Sequence, residues 1–553
     1  MLNDVNTEIN MQEKPSLAHQ TWVYLAPLII AFLFDQLTWQ RQIGLQPMLL
    51  VFAFLLGLSL LTKLEKKQVP WQSLLLLAPI IFTALMTVFR LDGFTNFTNF
   101  LVILSGLATL LYTFLNGQWP LYRIREHLLG YLRLALSVIS EPITQLFRTR
   151  QSATSAPGDK KAMRKKALPY LRGLAIALPI LLLLAALLAA ADQIFADQLS
   201  ALTDWLRIEN LGEFIFRLFY ILIFAYGMCG LLIHALLHSQ EKQAINEDTP
   251  YFKPFLGRVE CLMVLGSVNL LFAAFLIVQF QYFFAGQANI SIEGFTYAEY
   301  ARRGFFELVA VALISLGLFY LMSMITRCET KREKLLFNGL GGLLLLQVGV
   351  MLVSAFQRLS LYEAAYGFTQ LRTVTHVFMI WLGVLLAVVL LMQLLNRLRH
   401  LALALFLVLL GFSLTLNLLH VDAFIAKRNL EHAAAGNKLD TYYLVWNLSS
   451  DGVPVLFEHF LSPETSPEMQ KTLGAVLACR NAKSDLEEEA PFWASYHASR
   501  AKAERLFAEN IQALNAYPLT EKDDATWIMI EDEEIYCGQD MSASLEAPPT
   551  QAP

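Results

Sequence analysis

Apolar runs of about 20 residues recur along the chain, and they limit its fold more than any other feature. A helix of that length crosses the roughly 30 Å hydrocarbon core of a bilayer. Only 16% of the residues are charged, whereas a soluble chain carries about 25%. The pattern predicts an all-α fold, a polytopic transmembrane helical bundle. It excludes a secreted disulfide scaffold, a coiled coil and a sequence-reading nucleic-acid binder.

The runs predict about eleven spans. They cover residues 22–39, 45–61, 71–89, 94–115, 171–190, 214–237, 261–284, 306–324, 335–356, 374–395 and 401–419. The predicted regions are a four-span N-terminal part (1–120), a cytoplasmic interfacial helix with a basic linker (121–168), a seven-span core (169–420), a small helical, acidic, extracytoplasmic C-terminal region (421–540) and a disordered end (541–553).

The positive charges predict the orientation. Loops on one side of the predicted spans hold 23 Lys and Arg residues, and loops on the other side hold seven. Because cytoplasmic loops are enriched in Lys and Arg, we expect a cytoplasmic N-terminus. An odd number of spans then places the C-terminal region outside. Residues 421–553 carry 22 acidic and 10 basic residues, which is typical of a solvated region.

Residues 121–147 mix apolar and basic side chains at helical spacing, and they carry too much charge to span a membrane. They predict a helix that lies in the cytoplasmic interface against anionic lipid. The polar, basic segment after it predicts a mobile linker. We interpret its charge as topogenic and expect no nucleic-acid partner.

Ionisable side chains gather near the predicted extracytoplasmic helix ends, among them Asp35 and Arg217. Two stretches, 295–307 and 354–372, combine tyrosines with charges of both signs. The candidate ligand-binding residues are Tyr297, Glu299, Tyr300, Arg302, Arg303, Glu307, Arg358, Tyr362, Glu363, Tyr366, Arg372 and His376. Arginine suits carboxylate or phosphate recognition, and tyrosine can line such a site. The alternative is that these arginines pair with the glutamates and brace the loops.

Motifs of known enzymes are absent from the sequence: it has no P-loop, GxSxG, HExxH or Gly-rich dinucleotide loop. We therefore predict no catalytic residue, no cofactor and no metal site. His234 and His238 are one helical turn apart but have no evident third ligand. Cys479 and Cys537 would form a disulfide or remain free thiols, and their spacing does not decide between the two.

Three segments carry a family resemblance: YAEYARRGFFEL, RLSLYEAAYGFTQLR and DAFIAKRNLEHAAAGNKLD. They resemble a bacterial family of multi-pass membrane proteins that is catalogued as a domain of unknown function. The resemblance implies a polytopic protein of the bacterial cell envelope. We expect it to lie in the inner membrane. It implies no reaction and no site roles.

The favoured function is binding or sensing of an anionic ligand or an envelope protein at an extracytoplasmic polar vestibule. One alternative is a permease for a small solute, although the predicted spans hold few polar residues at their centres. Another is a lipid-linked group transferase of envelope biogenesis. On balance the sequence favours a protein that is not an enzyme.

Overall fold

The computed structural model describes residues 17–153, scattered positions between 173 and 192, and residues 211–240, 254–284, 305–485, 492–522, 525–530 and 533–538. These residues form two units. One draws on the stretches 1–78, 106–119 and 126–242, and the other on 79–105, 120–125 and 243–553.

The helices of the membrane part are numbered along the chain. They are α1 Gln20–Thr38, α2 Gln46–Leu64, α3 Trp71–Leu74, α4 Leu77–Met86, α5 Gly93–Thr113, α6 Ile124–Ala153, α7 Leu211–Leu237, α8 Arg258–Phe284, α9 Phe305–Ile325, α10 Lys331–Tyr366, α11 Gln370–Leu394 and α12 Leu401–Leu419. Within the described part of the chain, nine helices are long and apolar enough to cross a membrane. The all-α, multi-pass fold class is confirmed.

The third predicted span, 71–89, differs from the structure. It consists of the short helices α3 and α4, and together they end at Met86. Pro79 has no N–H to donate to the carbonyl of Leu75, and the helix is interrupted at Leu75 and Leu76. Most of the fifth predicted span, 171–190, lies outside the described residues, so the count of eleven stays a prediction.

Helix α6 begins within residues 121–147, where a helix is predicted, and continues to Ala153 in the predicted linker; its place in the membrane interface stays a prediction. One side of it packs closely on α7, where a Cβ on Gly230 would stand 2.6 Å from the Cα of Val138. The other side exposes an apolar row at helical spacing, formed by Leu128, Leu132, Leu136, Ile139 and Ile143. Such a helix suits a membrane interface.

In the second unit, α10 packs against α8, α9 and α11, and α11 packs against α12. Glycine allows a close approach between α11 and α12, because a Cβ on Gly411 would overlap the Trp381 ring. Polar bonds add to this packing. Asn417 Nδ2 and Ser413 Oγ both donate to Asn99 Oδ1, at 2.6 and 3.0 Å, which joins α12 to α5.

The C-terminal region is helical, with α13 Val421–Ala434, α14 Thr441–Trp446, α15 Val453–Leu461, α16 Pro467–Asp485, α17 Ala498–Glu509 and α18 Ile511–Leu514. It ends in an antiparallel sheet of order β1-β2-β3, with β1 Thr520–Lys522, β2 Ala525–Ile530 and β3 Glu533–Tyr536. The sheet was not predicted from the sequence. Its central strand shows the period of two that a strand requires, with Ile528 and Ile530 buried and Met529 exposed.

A disulfide joins Cys479 on α16 to Cys537, next to β3, and both cysteines are fully buried. The bond resolves the alternative that the sequence left open. It closes a loop of 58 residues and ties the small sheet to the helices.

Candidate functional site

Seven of the twelve candidate residues lie in the described part of the chain. Tyr297, Glu299, Tyr300, Arg302 and Arg303 lie outside it. Glu307 is exposed in the first turn of α9. The other six stand at the end of α10 and the start of α11, where Gly367, at φ +74°, ends α10.

Glu363 and His376 form a close polar contact between α10 and α11. Nδ1 of His376 lies 3.0 Å from Oε2 of Glu363, and the carboxylate is almost fully buried. The Phe356 ring lies over the imidazole, with 4.4 Å between centroids. A buried pair of this kind fixes the relative position of two helices, because separating it would leave an uncompensated charge.

Ser360 completes a Ser–His–Glu arrangement with this pair, since its Oγ lies 3.3 Å from Nε2 of His376. The order of contacts is that of a nucleophile, a base and an orienting carboxylate. However, the hydroxyl also donates to the carbonyl of Phe356 in its own helix at 3.0 Å. Ser360 lies inside α10, where backbone N–H groups bond within the helix and cannot form an oxyanion hole. We interpret the three residues as a packing contact.

Arg358 and Arg372 both make contacts that brace this region. Arg358 Nη2 donates to Oε1 of Gln279 on α8 at 2.9 Å. Arg372 Nη1 donates to the carbonyl of Gly367 at 2.6 Å, and its guanidinium lies 4.1 Å from the centre of the Tyr362 ring. The guanidinium therefore caps the carbonyl end of α10. These contacts favour the bracing alternative, and anion binding stays a prediction.

Tyr362 and Tyr366 are one turn apart and touch edge to face at 5.0 Å. Arg358 precedes Tyr362 by one turn, so the three residues follow one side of α10. Tyr366 is 55% exposed. The end of α10 thus presents an aromatic surface beside two guanidinium groups.

A second polar cluster, which we call the aspartate cluster, was not found from the sequence. It comprises Asp92 before α5, Asp422 in α13 and Asp451 after α14. One oxygen of each carboxylate accepts a backbone N–H: Thr95 donates to Asp92 at 2.8 Å, Ser449 to Asp422 at 2.8 Å and Leu91 to Asp451 at 2.9 Å. The other oxygen of each is buried and has no partner among the described residues.

Burial dominates the electrostatics of this cluster. It raises the pKa of Asp422 to about 6 despite the bonds from Ser449, and the nearby charges of Asp92 and Asp451 act in the same direction. Burial also raises the pKa of Asp92. Asp422 and Asp92 are therefore easier to protonate than an ordinary aspartate.

Basic groups surround the aspartate cluster. Arg480 is partly buried and donates to the carbonyls of Leu444, Leu448 and Ser449 at 2.6, 2.9 and 3.2 Å. Desolvation lowers its pKa to about 10. Burial also lowers the pKa values of His420 and His497. Arg90 Nε donates to the carbonyl of Asn417 at 2.9 Å, which ties the loop before α5 to the end of α12.

The sequence held one signal for this cluster, namely acidic residues next to the ends of predicted spans. Asp92 precedes α5 by one residue, and Asp422 follows α12 by three. Asp92 and Asp451 are 359 residues apart in the sequence. Only the tertiary structure brings the three aspartates together, and no motif spacing predicts it.

The first unit contains a separate ion pair, in which Arg217 on α7 donates to both oxygens of Asp35 on α1, at 2.9 and 2.6 Å. Tyr220 also donates to the carboxylate, and Trp39 Nε1 donates to Glu213 Oε1 at 2.6 Å. Asp35 is 1% exposed. The arrangement is a fully bonded bidentate pair that fastens two spans. His234 and His238 on α7 have different partners, Ser137 and Glu141, at 2.7 and 3.0 Å.

Comparison with known proteins places the chain in a family. No curated protein and no solved structure matches it. A family model described as a domain of unknown function, DUF4153, matches residues 77–459, which include α10, α11 and the aspartate cluster. The match covers more than half of the chain, so this multi-pass membrane protein belongs to the DUF4153 family.

Proposed function

We propose that this protein binds or senses an anionic ligand, or an envelope partner, outside the bacterial inner membrane. The observation that carries the proposal is a shared apolar core. Val374 and Val377 on α11 and Leu416 on α12 belong to the same buried cluster as Leu456 on α15 and Ile528 in β2. Two long apolar helices and the extramembrane region thus form one packed body, and packed interiors transmit displacement.

The aspartate cluster gives this body a polar centre. It links the loop before α5, the helix after α12 and the turn at Ser449 through hydrogen bonds to backbone N–H groups. A ligand that displaces the C-terminal region would therefore also displace the loop before α5 and the helix after α12, which both adjoin long apolar helices. A binding or sensing protein requires this kind of physical link.

Two observations support an extracytoplasmic C-terminal region. The Lys and Arg asymmetry predicts it, and the disulfide between Cys479 and Cys537 suits an oxidising compartment. The candidate anion contacts are Arg358 and Arg372 beside the tyrosines of α10, and an anion there would share these guanidinium groups with Gln279 and the Gly367 carbonyl. Arg302 and Arg303 are the further candidates from the sequence.

On the cytoplasmic side we propose that α6 contacts anionic lipid. Its exposed apolar row would enter the interface, while Arg123, Arg125 and Arg133 supply positive charge at its start. Apolar burial and attraction to anionic lipid act together in such helices.

The described polar residues at the middle of the spans favour packing over a solute path. Asn269 Nδ2 donates to the carbonyl of Leu340 at 3.1 Å, and Gln347 Nε2 donates to the carbonyl of Asn269 at 3.1 Å. Both side chains hold α8 and α10 together. This geometry favours the binding or sensing role over the permease alternative.

The test is a series of Arg→Lys variants at Arg302, Arg358 and Arg372. Each is scored for melting temperature in detergent and for its ability to replace the wild-type gene in cells. Lysine keeps the charge and loses the planar fork, so a recognition arginine should lose function while the protein melts as before. Arg428→Lys is the control, because Arg428 is exposed and pairs with Glu431 on the surface. If every variant that loses function also melts at a lower temperature, these arginines brace the fold and the proposed binding site is refuted.

A further inference from the structure

A basic cavity lies at the end of α10 that is opposite the Glu363–His376 pair. It has a volume of about 420 Å³ and is lined by residues from the loops before α6 and α8, from α9 and α10, and from the turn between α11 and α12. Lys334 and Glu363 are 29 residues apart on α10, which is roughly 44 Å along a helix. The cavity is therefore separate from the site discussed above.

The lining has the chemistry of an anion site. Arg123, Lys334 and Arg399 contribute positive charge, and Asn338 and Asn396 contribute amides. Among the described residues that line it, none is Asp or Glu. Three cations around a concave surface create a positive potential, which is strengthened by the low dielectric of the neighbouring helices.

The fold builds this cavity in two ways. A short parallel bridge pairs Leu256 with Thr326, and the N–H of Arg327 donates to the carbonyl of Leu256 at 2.9 Å. This bridge holds the start of α8 against the end of α9. On the other side, Asn396 adopts a left-handed conformation with φ of 54°, and the N–H of Arg397 donates to the carbonyl of Met392 at 2.7 Å. That C-cap turns the chain and places Asn396 and Arg399 at the cavity.

Gln393 is the buried polar residue of the lining. It is 2% exposed, and its Nε2 donates to the carbonyl of Asn338 at 3.0 Å. Its Oε1 is buried and has no partner in the described part of the chain. Gly341 leaves the space for it, because a Cβ there would stand 2.8 Å from Nε2. A buried acceptor without a partner is costly, and a ligand with hydroxyl groups would satisfy it.

We propose that this cavity binds the phosphate group of an anionic, hydroxyl-bearing phosphate ester. Guanidinium and ammonium groups would hold the phosphate, and the amides would hold the hydroxyls. Either a lipid headgroup or a free phosphate ester carries this chemistry. Basic pockets between membrane helices on the cytoplasmic side suit anionic headgroups, and the charge asymmetry predicts that side for this end of α10.

Binding to the full-length protein in a neutral detergent, after removal of bound lipid, tests the proposal. The probes are short-chain phosphatidylglycerol, short-chain phosphatidylcholine, glycerol 3-phosphate and inorganic phosphate. We expect phosphatidylglycerol or glycerol 3-phosphate to bind, and Lys334→Gln and Arg399→Gln each to weaken that binding about tenfold. Arg332→Gln is the control, because Arg332 is exposed on the same turn of α10 and does not line the cavity.

The two sources of phosphate give different results. Binding of phosphatidylglycerol that glycerol 3-phosphate does not displace identifies a lipid headgroup. Binding of glycerol 3-phosphate that both cavity variants weaken identifies a free phosphate ester. The proposal is overturned if neither probe responds to Lys334→Gln or Arg399→Gln, if Arg332→Gln weakens binding equally, or if phosphatidylcholine binds as tightly as phosphatidylglycerol.

Discussion

Replacement of Asp422 by asparagine should stabilise the protein at neutral pH. The carboxylate is 1% exposed, and burial raises its pKa from 3.8 to about 6. At pH 7.5 it is ionised in the folded and the unfolded protein, so the folded protein bears the cost of a buried charge. A shift of this size corresponds to roughly 3 kcal/mol at about 1.4 kcal/mol per pKa unit. Asparagine removes the charge and keeps the oxygen that accepts the Ser449 N–H at 2.8 Å.

The effect should depend on pH in a defined direction. Because the pKa of Asp422 is raised in the folded protein, its stabilising contribution is present below about pH 4 and is lost as the pH rises through about 6. The advantage of the asparagine variant should therefore shrink between pH 7.5 and 5. Asp92 titrates in the same sense, while His420 and His497 titrate in the opposite sense. These groups are present in both proteins, so the difference between wild type and variant isolates Asp422.

Thermal unfolding in detergent, followed by tryptophan fluorescence between pH 5 and 7.5, measures the difference. We expect the variant to melt a few degrees above the wild type at pH 7.5 and by about half that margin at pH 5, where Asp422 is mostly protonated in the folded protein and mostly ionised in the unfolded one. Glu431→Gln on the same helix is the control, since Glu431 is exposed and should change little. A variant that melts below the wild type at every pH would show that the Asp422 carboxylate is a stabilising ion, and the reasoning would be wrong.

Three further predictions concern stability. Asp35→Asn should destabilise the protein by roughly 3–5 kcal/mol, because it leaves Arg217 without its ionic partner. A double-mutant cycle with Arg217→Gln should show a coupling energy above about 1 kcal/mol, and additive effects would contradict the ion pair. Cys537→Ser should lower the free energy of unfolding by up to about 4 kcal/mol, the chain-entropy value for a 58-residue loop. Maleimide labelling of both Cys479 and Cys537 in unreduced wild-type protein would contradict the disulfide. Gly411→Ala should lower the melting temperature by the equivalent of roughly 1–3 kcal/mol, because its methyl group would overlap the Trp381 ring, and an unchanged melting curve would show that α11 and α12 separate freely.

Hydrophobic run length was sufficient to predict most of the membrane part, because crossing a bilayer requires an unbroken apolar helix. It predicted one continuous span at 71–89. The structure has two short helices there, because Pro79 has no N–H to bond the Leu75 carbonyl. The sheet at residues 520–536 was missed because each strand has only three to six residues, too few for a clear period. Ser466 and Asp440 cap two helices of the C-terminal region, where each accepts a backbone N–H group.

The candidate site was only partly predictable. The sequence pattern identified Arg358, Glu363 and His376 as ionisable residues near helix ends. Their pairings depend on which helices are neighbours, and a single sequence does not record this. The contacts within the aspartate cluster, Asp92, Asp422 and Asp451, likewise depend on which elements are neighbours in the fold.

The location of the C-terminal region is the most direct test of this account. Alkaline phosphatase and a green fluorescent protein that folds only in the cytoplasm are fused separately after Pro553, and both fusions are expressed in a bacterium. The account predicts high phosphatase activity and no fluorescence, because the region that packs on α11 and α12 lies outside. Fluorescence without phosphatase activity would place that region in the cytoplasm and contradict extracytoplasmic binding.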